Sequence, residues 1–197
     1  MTATQQDFLT SALAADAMHL VEEMQKFVKA EGITLESVEH VYRRRDGRPL
    51  IGVTEALHHA GILDNTWFKH ERAEEGILIH QLAARSLASD EPFDFEELWG
   101  PYIGYGSSLE AFLISAWPIT ISTELLVAYS RAPCAGTLDW LAIWQDALWV
   151  VDFKTGAELK WHRLQTAGYV GALIQRIDMT VILPVRRASL YLHETGE

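Results

Sequence analysis

From Gln5 to Glu31 the apolar residues Phe8, Leu9, Leu13, Met18, Leu20, Val21, Met24 and Phe27 recur at helical spacing until Gly32. This predicts one long amphipathic helix, set apart as an N-terminal extension over 1–35 from a domain over 36–197. The next stretch, VEHVYRRRDGRPLIGV, alternates in the β manner around Arg45-Asp46-Gly47, and Asp-Gly predicts a hairpin turn. Thr54-Glu55-Ala56-Leu57 opens like a capped helix. Helical periodicity returns over 69–88 and again over 95–116, with a break expected at Gly100-Pro101. Beyond Pro118 the pattern becomes β: ITISTELLVAYS, then two strands within AGTLDWLAIWQDALWVVDFKTG. A helix is predicted over 158–176, and MTVILPV and ASLYLHE read as two last strands. No internal repeat or low-complexity tract divides the chain further.

The two strands over 135–156 are dense in Trp, Leu, Ile, Val and Phe, yet carry Asp139, Asp152 and Lys154. An unpaired charge in a buried strand costs several kcal/mol or is neutralised, so each needs a partner. A turn centred on Gln145-Asp146 sets Asp139 opposite Asp152, with Cβ atoms roughly 4.5 to 5.5 Å apart, and Lys154 on the same face as Asp152. Two carboxylates that close repel unless a cation intervenes. Mg²⁺ is bound by one or two carboxylates with water and substrate phosphate, and an ammonium beside it can steady charge on a phosphoryl group. A one-residue slip would send Asp152 to the other face. The alternative is a pair of strand-end acids bound to backbone amides, with Lys154 as counter-ion.

Composition narrows the classes. With 49% hydrophobic and 22% charged residues, the chain can build a globular core. Its single cysteine, Cys134, excludes a disulfide framework or a multi-thiolate cluster within one chain, which suits a reducing cytoplasm. The N-terminus lacks the layout of a secretory signal, and no apolar run is long enough to span a bilayer. A formal charge of −11 disfavours indiscriminate binding to polyanions. Arg43, Arg44, Arg45 and Arg48 form the densest basic cluster, a candidate for phosphate contact or a solvated turn.

Asp139 followed by Asp152-Phe153-Lys154 resembles the core of the PD-(D/E)XK nuclease superfamily, an acid on one strand and (D/E)-x-K on the next. Gly76 to His80 resembles the helical GxxxH element of its RecB-like branch, Gly136 to Asp139 the GxxD strand, and Gln165 to Tyr169 the QxxxY helix, all in the expected order. The hairpin followed by VTEALHHAGILDNTWF resembles the opening of phage-type exonucleases. The resemblance, over about Val38 to Glu194, implies an α/β restriction-endonuclease-like core, a mixed sheet flanked by helices. It implies a Mg²⁺- or Mn²⁺-dependent deoxyribonuclease of phage, recombination or repair type. Asp139, Asp152 and the Phe153 carbonyl would hold the metal, with His80 beside it and Glu124 as a further candidate. Lys154 would assist the attacking water, Gln165 would support it, and Tyr169, Arg163, Lys160 and Arg45 would meet the DNA. Trp161 is a candidate for stacking on an unpaired base. A turnover-deficient binding subunit, or a phage protein that binds a host or recombination partner or its own copies, is the alternative.

Overall fold

The computed structural model describes residues 32–36, 41–63, 70–88, 93–175 and 183–196, together with residues 19 and 22. Apart from those two, the helix expected over 5–31 lies outside the described residues. The hairpin expected around Arg45-Asp46-Gly47 forms from β2 (Val41–Arg43) and β3 (Pro49–Gly52), with β1 (Thr34–Glu36) antiparallel to β2. Gly47 takes φ +80°, and its amide donates to the Arg44 carbonyl at 2.8 Å, which closes the turn. Helix α1 (Val53–His59) follows directly, its Glu55 carboxylate accepting from the Gly52 amide at the helix entry.

Helix α2 (His70–Ala88) matches its predicted span. The expected break divides the next helical stretch into α3 (Phe95–Trp99), a short 3₁₀ turn over Gly100–Tyr102, and α4 (Ile103–Ala116). Pro101 sits in the first turn, where its missing N–H costs nothing. Strand β4 (Ile119–Ala128) runs antiparallel to β5 (Cys134–Trp144), and β5 pairs with β6 (Ala147–Lys154) as a hairpin. Helix α5 (His162–Leu173) begins four residues later than the periodicity predicts, because residues 158–161 are loop and turn. Of the two strands expected at the end, the described residues contain one, β7 (Val185–Tyr191), parallel to β6. Most of MTVILPV lies outside the described residues.

These strands form one mixed seven-stranded sheet in the order β1-β2-β3-β5-β6-β7, with β4 on the other edge of β5. β4 covers that edge from Ala135 to Ile143. Both β3, at Cys134 and Ala135, and β6, from Trp140 to Trp144, must therefore share the opposite edge. Between them β5 has a fork at residues 136–139.

The sheet separates two apolar layers. Leu138, Leu141, Leu148 and Val150 pack with Val53 of α1 and with Tyr169, Ala172 and Leu173 of α5. Trp140, Ala142, Val151 and Phe153 pack with Ile79, Trp99 and Leu109 of α2, α3 and α4. Because both faces are covered, β6 is an almost continuous apolar run rather than an alternating one. Buried indoles keep their N–H groups bonded: Trp140 donates to Thr120 Oγ1 and Trp99 to Ser86 Oγ, both at 3.1 Å. Among the described residues no helix is long and apolar enough to cross a membrane.

The β5–β6 turn is two residues long, with Gln145 at φ +48° and Asp146 at φ +54°. Left-handed backbone at both central positions is the geometry whose twist suits a tight hairpin, and it costs non-glycine residues roughly 1 kcal/mol each. Asp146→Gly is expected to raise stability by about 0.5–1 kcal/mol in urea denaturation. A loss of the same size would contradict this turn geometry.

Candidate active site at the sheet fork

The hairpin pairs Trp144 with Ala147 and continues in step to Trp140 with Val151. That register sets Asp139 opposite Asp152. Beyond Trp140–Val151 the ladder opens, and the next amide of β6, Phe153 N–H, donates to the Asp139 carboxylate at 2.6 Å. The side chain thus satisfies a buried N–H that the diverging strand has left, as such a group requires. The same oxygen, Oδ2, lies 3.2 Å from Nδ1 of His80, which α2 brings in from the Trp-rich side of the sheet.

Asp152 is 1% exposed, and its Oδ2 is ion-paired directly with the Lys154 ammonium, two residues along the strand. Lys154 also lies 5.7 Å from the centre of the Trp161 ring. Burial, supplemented by the Asp139 charge and opposed by Lys154, lifts the Asp152 carboxyl to about 6. At His80, burial acts downward, but the charge and hydrogen bond of Asp139 outweigh it and the imidazole stands above its ordinary value.

Glu124 arrives from the other side of β5. Its neighbours pair as Thr123–Trp140 and Leu125–Leu138, which puts Glu124 level with Asp139, and its backbone turns to φ +49° in mid-strand. Its side chain is exposed, yet desolvation on the protein side and then the Asp139 charge push it up to about 7. Non-glycine left-handed backbone inside a strand is costly and concentrates at functional positions.

Helix α5 supplies the remaining wall. Gln165 donates through Nε2 to the Tyr169 hydroxyl at 2.9 Å and to Thr54 Oγ1 at 3.2 Å, while its buried Oε1 has no hydrogen-bond partner among the described residues. Tyr169 is 5% exposed and lies against Gly136. A Cβ on Gly136 would stand 2.6 Å from the Tyr169 ring, so this close approach requires glycine. Gly76 faces Thr155, the residue after Lys154.

The structure thus gathers Gly76, His80, Gly136, Asp139, Asp152, Lys154, Gln165 and Tyr169 around the fork. Arg163 and Lys160 are exposed near the start of α5, whereas Arg45 sits on the β2–β3 turn. The basic cluster there is largely engaged: Arg43 pairs with Glu36, Arg48 with Asp46, and Arg44 donates to the Tyr129 and Ala132 carbonyls.

Residue pattern gave no role to His162, which proves to be buried beside Lys154. Its Nδ1 accepts from the Leu159 amide at 3.3 Å, which makes Tyr191 the donor in their 2.8 Å contact. Burial, and then the Lys154 charge, lower His162 to about 4. No local signal marks this contact, since Tyr191 reaches it only through the parallel register of β7.

Among the described residues no three His, Cys, Asp or Glu side chains stand as a ready metal cage. The donors at the fork instead form two coupled pairs, Asp139 with His80 and Asp152 with Lys154. A scan of protein-family models finds no match to the chain, and no curated protein matches it.

Because the folded His162 titrates near 4 rather than 6.5, the native chain binds fewer protons than the unfolded chain between those values. Its contribution to stability therefore rises with pH across that window and is lost as pH falls through it. His162→Asn is expected to remove this component. Urea midpoints measured from pH 4 to 7 should climb more steeply for wild type than for the variant; parallel curves would contradict a neutral buried His162.

Proposed function

We infer that the chain is a divalent-metal-dependent nuclease of the PD-(D/E)XK type, with a restriction-endonuclease-like core, that hydrolyses DNA phosphodiester bonds as an exonuclease. The observation that carries this is convergence. Four short motifs, separated by up to about ninety residues in the chain, meet at one fork through Gly76–Thr155, His80–Asp139, Asp152–Lys154 and Gly136–Tyr169–Gln165. A fold held only by core packing has no need to collect two acids, an amine, an imidazole and an amide with an orphan oxygen at one place.

The donors suit a hard cation. They are carboxylate and amide oxygens with one imidazole, the set expected for Mg²⁺ or Mn²⁺ rather than for a thiophilic metal. Two carboxylates are too few for an all-protein cage, but match an ion that keeps water and takes substrate phosphate. Asp139 and Asp152 would hold it, with the Phe153 carbonyl, His80 and Glu124 as further candidates. When bound, the cation supplies Lewis-acid stabilisation of the entering and leaving oxygens of an in-line displacement.

The chain's own residues have distinct tasks. The Phe153 amide and His80 fix the orientation of Asp139. Lys154, held on Asp152 and against Trp161, places positive charge where a phosphoryl group gains negative charge. Water oxygen bonds to phosphorus, one ester P–O bond breaks, and the products are a phosphate monoester and a hydroxyl end. Gln165 and Tyr169 brace the wall, and Arg163 and Lys160 lie where the strand would meet the protein.

One observation favours a second reading. Asp139 is already held by a backbone amide and His80, and Asp152 is paired with the charge of Lys154, as expected of a nuclease-fold binding or assembly subunit without turnover. Cleavage of linear and circular DNA with Mg²⁺ or Mn²⁺ separates the two. Asp139→Asn keeps an acceptor for the Phe153 amide, so it tests chemistry with little structural loss. Asp139→Asn and Lys154→Ala are each expected to lower cleavage by about 10²-fold or more, with linear DNA the preferred substrate. Activity equal to wild type in both variants would remove these assignments, and cleavage of circular DNA at the same rate would exclude end-dependence.

A further inference from the structure

A cleft of about 520 Å³ opens between α5 and the edge strand β7, lined by Trp149, Arg163, Thr166, Arg186, Arg187 and Tyr191. It is separate from the fork but adjoins it, since His162 also lines it and contacts Tyr191, which pairs with Lys154 across β6 and β7. The chain carries a net charge of −11, yet the residues that line the cleft include three arginines and one acid, Glu158. Arg187 stands on the α5 face of β7 and Arg186, paired with Trp149, on the other.

That carboxylate neutralises little. Glu158 and Arg163 are 3.9 Å apart and both well exposed, the kind of pair that contributes almost nothing. Arg187 is anchored by neutral acceptors instead, the Arg163 carbonyl at 2.7 Å and Thr166 Oγ1 at 3.2 Å. Such bonds fix a guanidinium without neutralising it, and among the described residues no acid pairs with Arg187. Arg186 lies 5.6 Å from the centre of the Trp149 ring, and among the described residues no acid pairs with it. Arginines pre-positioned in this way match the forked geometry of a phosphate group.

We propose that the cleft between α5 and β7 is a phosphate-binding subsite, held by Arg163 and Arg187 on the α5 side with Arg186 at its outer rim, that grips a phosphate of the nucleic-acid strand next to the fork. The strand as its source rests on the nuclease assignment; the phosphate chemistry does not. An acidic protein needs such a local grip, because its overall field repels the substrate.

The test measures binding without turnover, in EDTA, with the full chain. A fluorescent single-stranded oligonucleotide, with and without a 5′-phosphate, is titrated at several salt concentrations, and inorganic phosphate is used as competitor. Arg186→Gln/Arg187→Gln should weaken binding about tenfold and lower the salt slope by about 1. Arg163→Gln, whose side chain does not tie β7 to α5, should weaken binding in the same direction while circular dichroism remains unchanged. Arg131→Gln, on the β4–β5 loop, should have no effect. A larger loss for the phosphorylated strand would assign the cleft to a terminal phosphate, and equal losses to an internal one. If wild type binds inorganic phosphate through these arginines but no oligonucleotide, the subsite stands and the nuclease assignment fails. Oligonucleotide and phosphate affinities unchanged in both arginine variants would overturn the proposal, including the case in which the edge strand instead recruits a protein.

Discussion

The site depends on one hydrogen bond that replaces another. Where β5 and β6 part after Trp140–Val151, the Phe153 amide turns to the Asp139 carboxylate. A ladder that continued would leave no fork, and a fork without the carboxylate would leave a buried N–H unpaired at a cost of about 1–3 kcal/mol. Asp139 therefore links architecture to chemistry. The bond that lets the strands diverge also fixes an acid beside His80 and opposite Asp152.

Around that bond the charges are arranged in series. His80 shares Asp139, Asp152 shares Lys154, and burial, with the Asp139 charge added to it, raises both Asp152 and Glu124. Burying so many ionisable groups is unfavourable unless they satisfy one another. Pairing as Asp139–His80 and Asp152–Lys154 offsets part of that cost between the two apolar layers, while Oδ2 of Asp152 makes no hydrogen bond among the described residues. The neutral His162, packed against Trp161 and bonded to Tyr191, adds a polar contact without adding charge. Arginine follows the opposite course at the α5–β7 cleft, where the guanidinium groups have carbonyl, hydroxyl and aromatic neighbours in place of strong acid pairs.

Much of this was legible in the chain because it is local. The β5–β6 register follows from the turn length and from strand alternation, even though Gln-Asp is a poor sequence for left-handed turn positions. The break at Gly100-Pro101 follows from the chemistry of those residues. What the pattern could not supply is non-local. Parallel pairing of β3 with β5 creates the fork, and parallel pairing of β7 with β6 brings Tyr191 to His162; neither has a short-range signature. The late start of α5 is a local matter that periodicity does not show, for the loop before it accommodates Trp161 beside Lys154 and lets Leu159 bond His162. The arginines of the β2–β3 turn appear in the sequence as a free basic cluster, whereas folding engages Arg43, Arg44 and Arg48 within the molecule.

The central claim is that Asp139 and Asp152 act together on a divalent cation. Its most direct measurement is paramagnetic broadening of backbone amide resonances during a Mn²⁺ titration, for wild type and for Asp139→Asn/Asp152→Asn. The account predicts that residues 139, 152, 153 and 154 broaden first in wild type, and that this selectivity disappears in the variant. Broadening spread over the acidic surface, or the same selective pattern in both proteins, would contradict it.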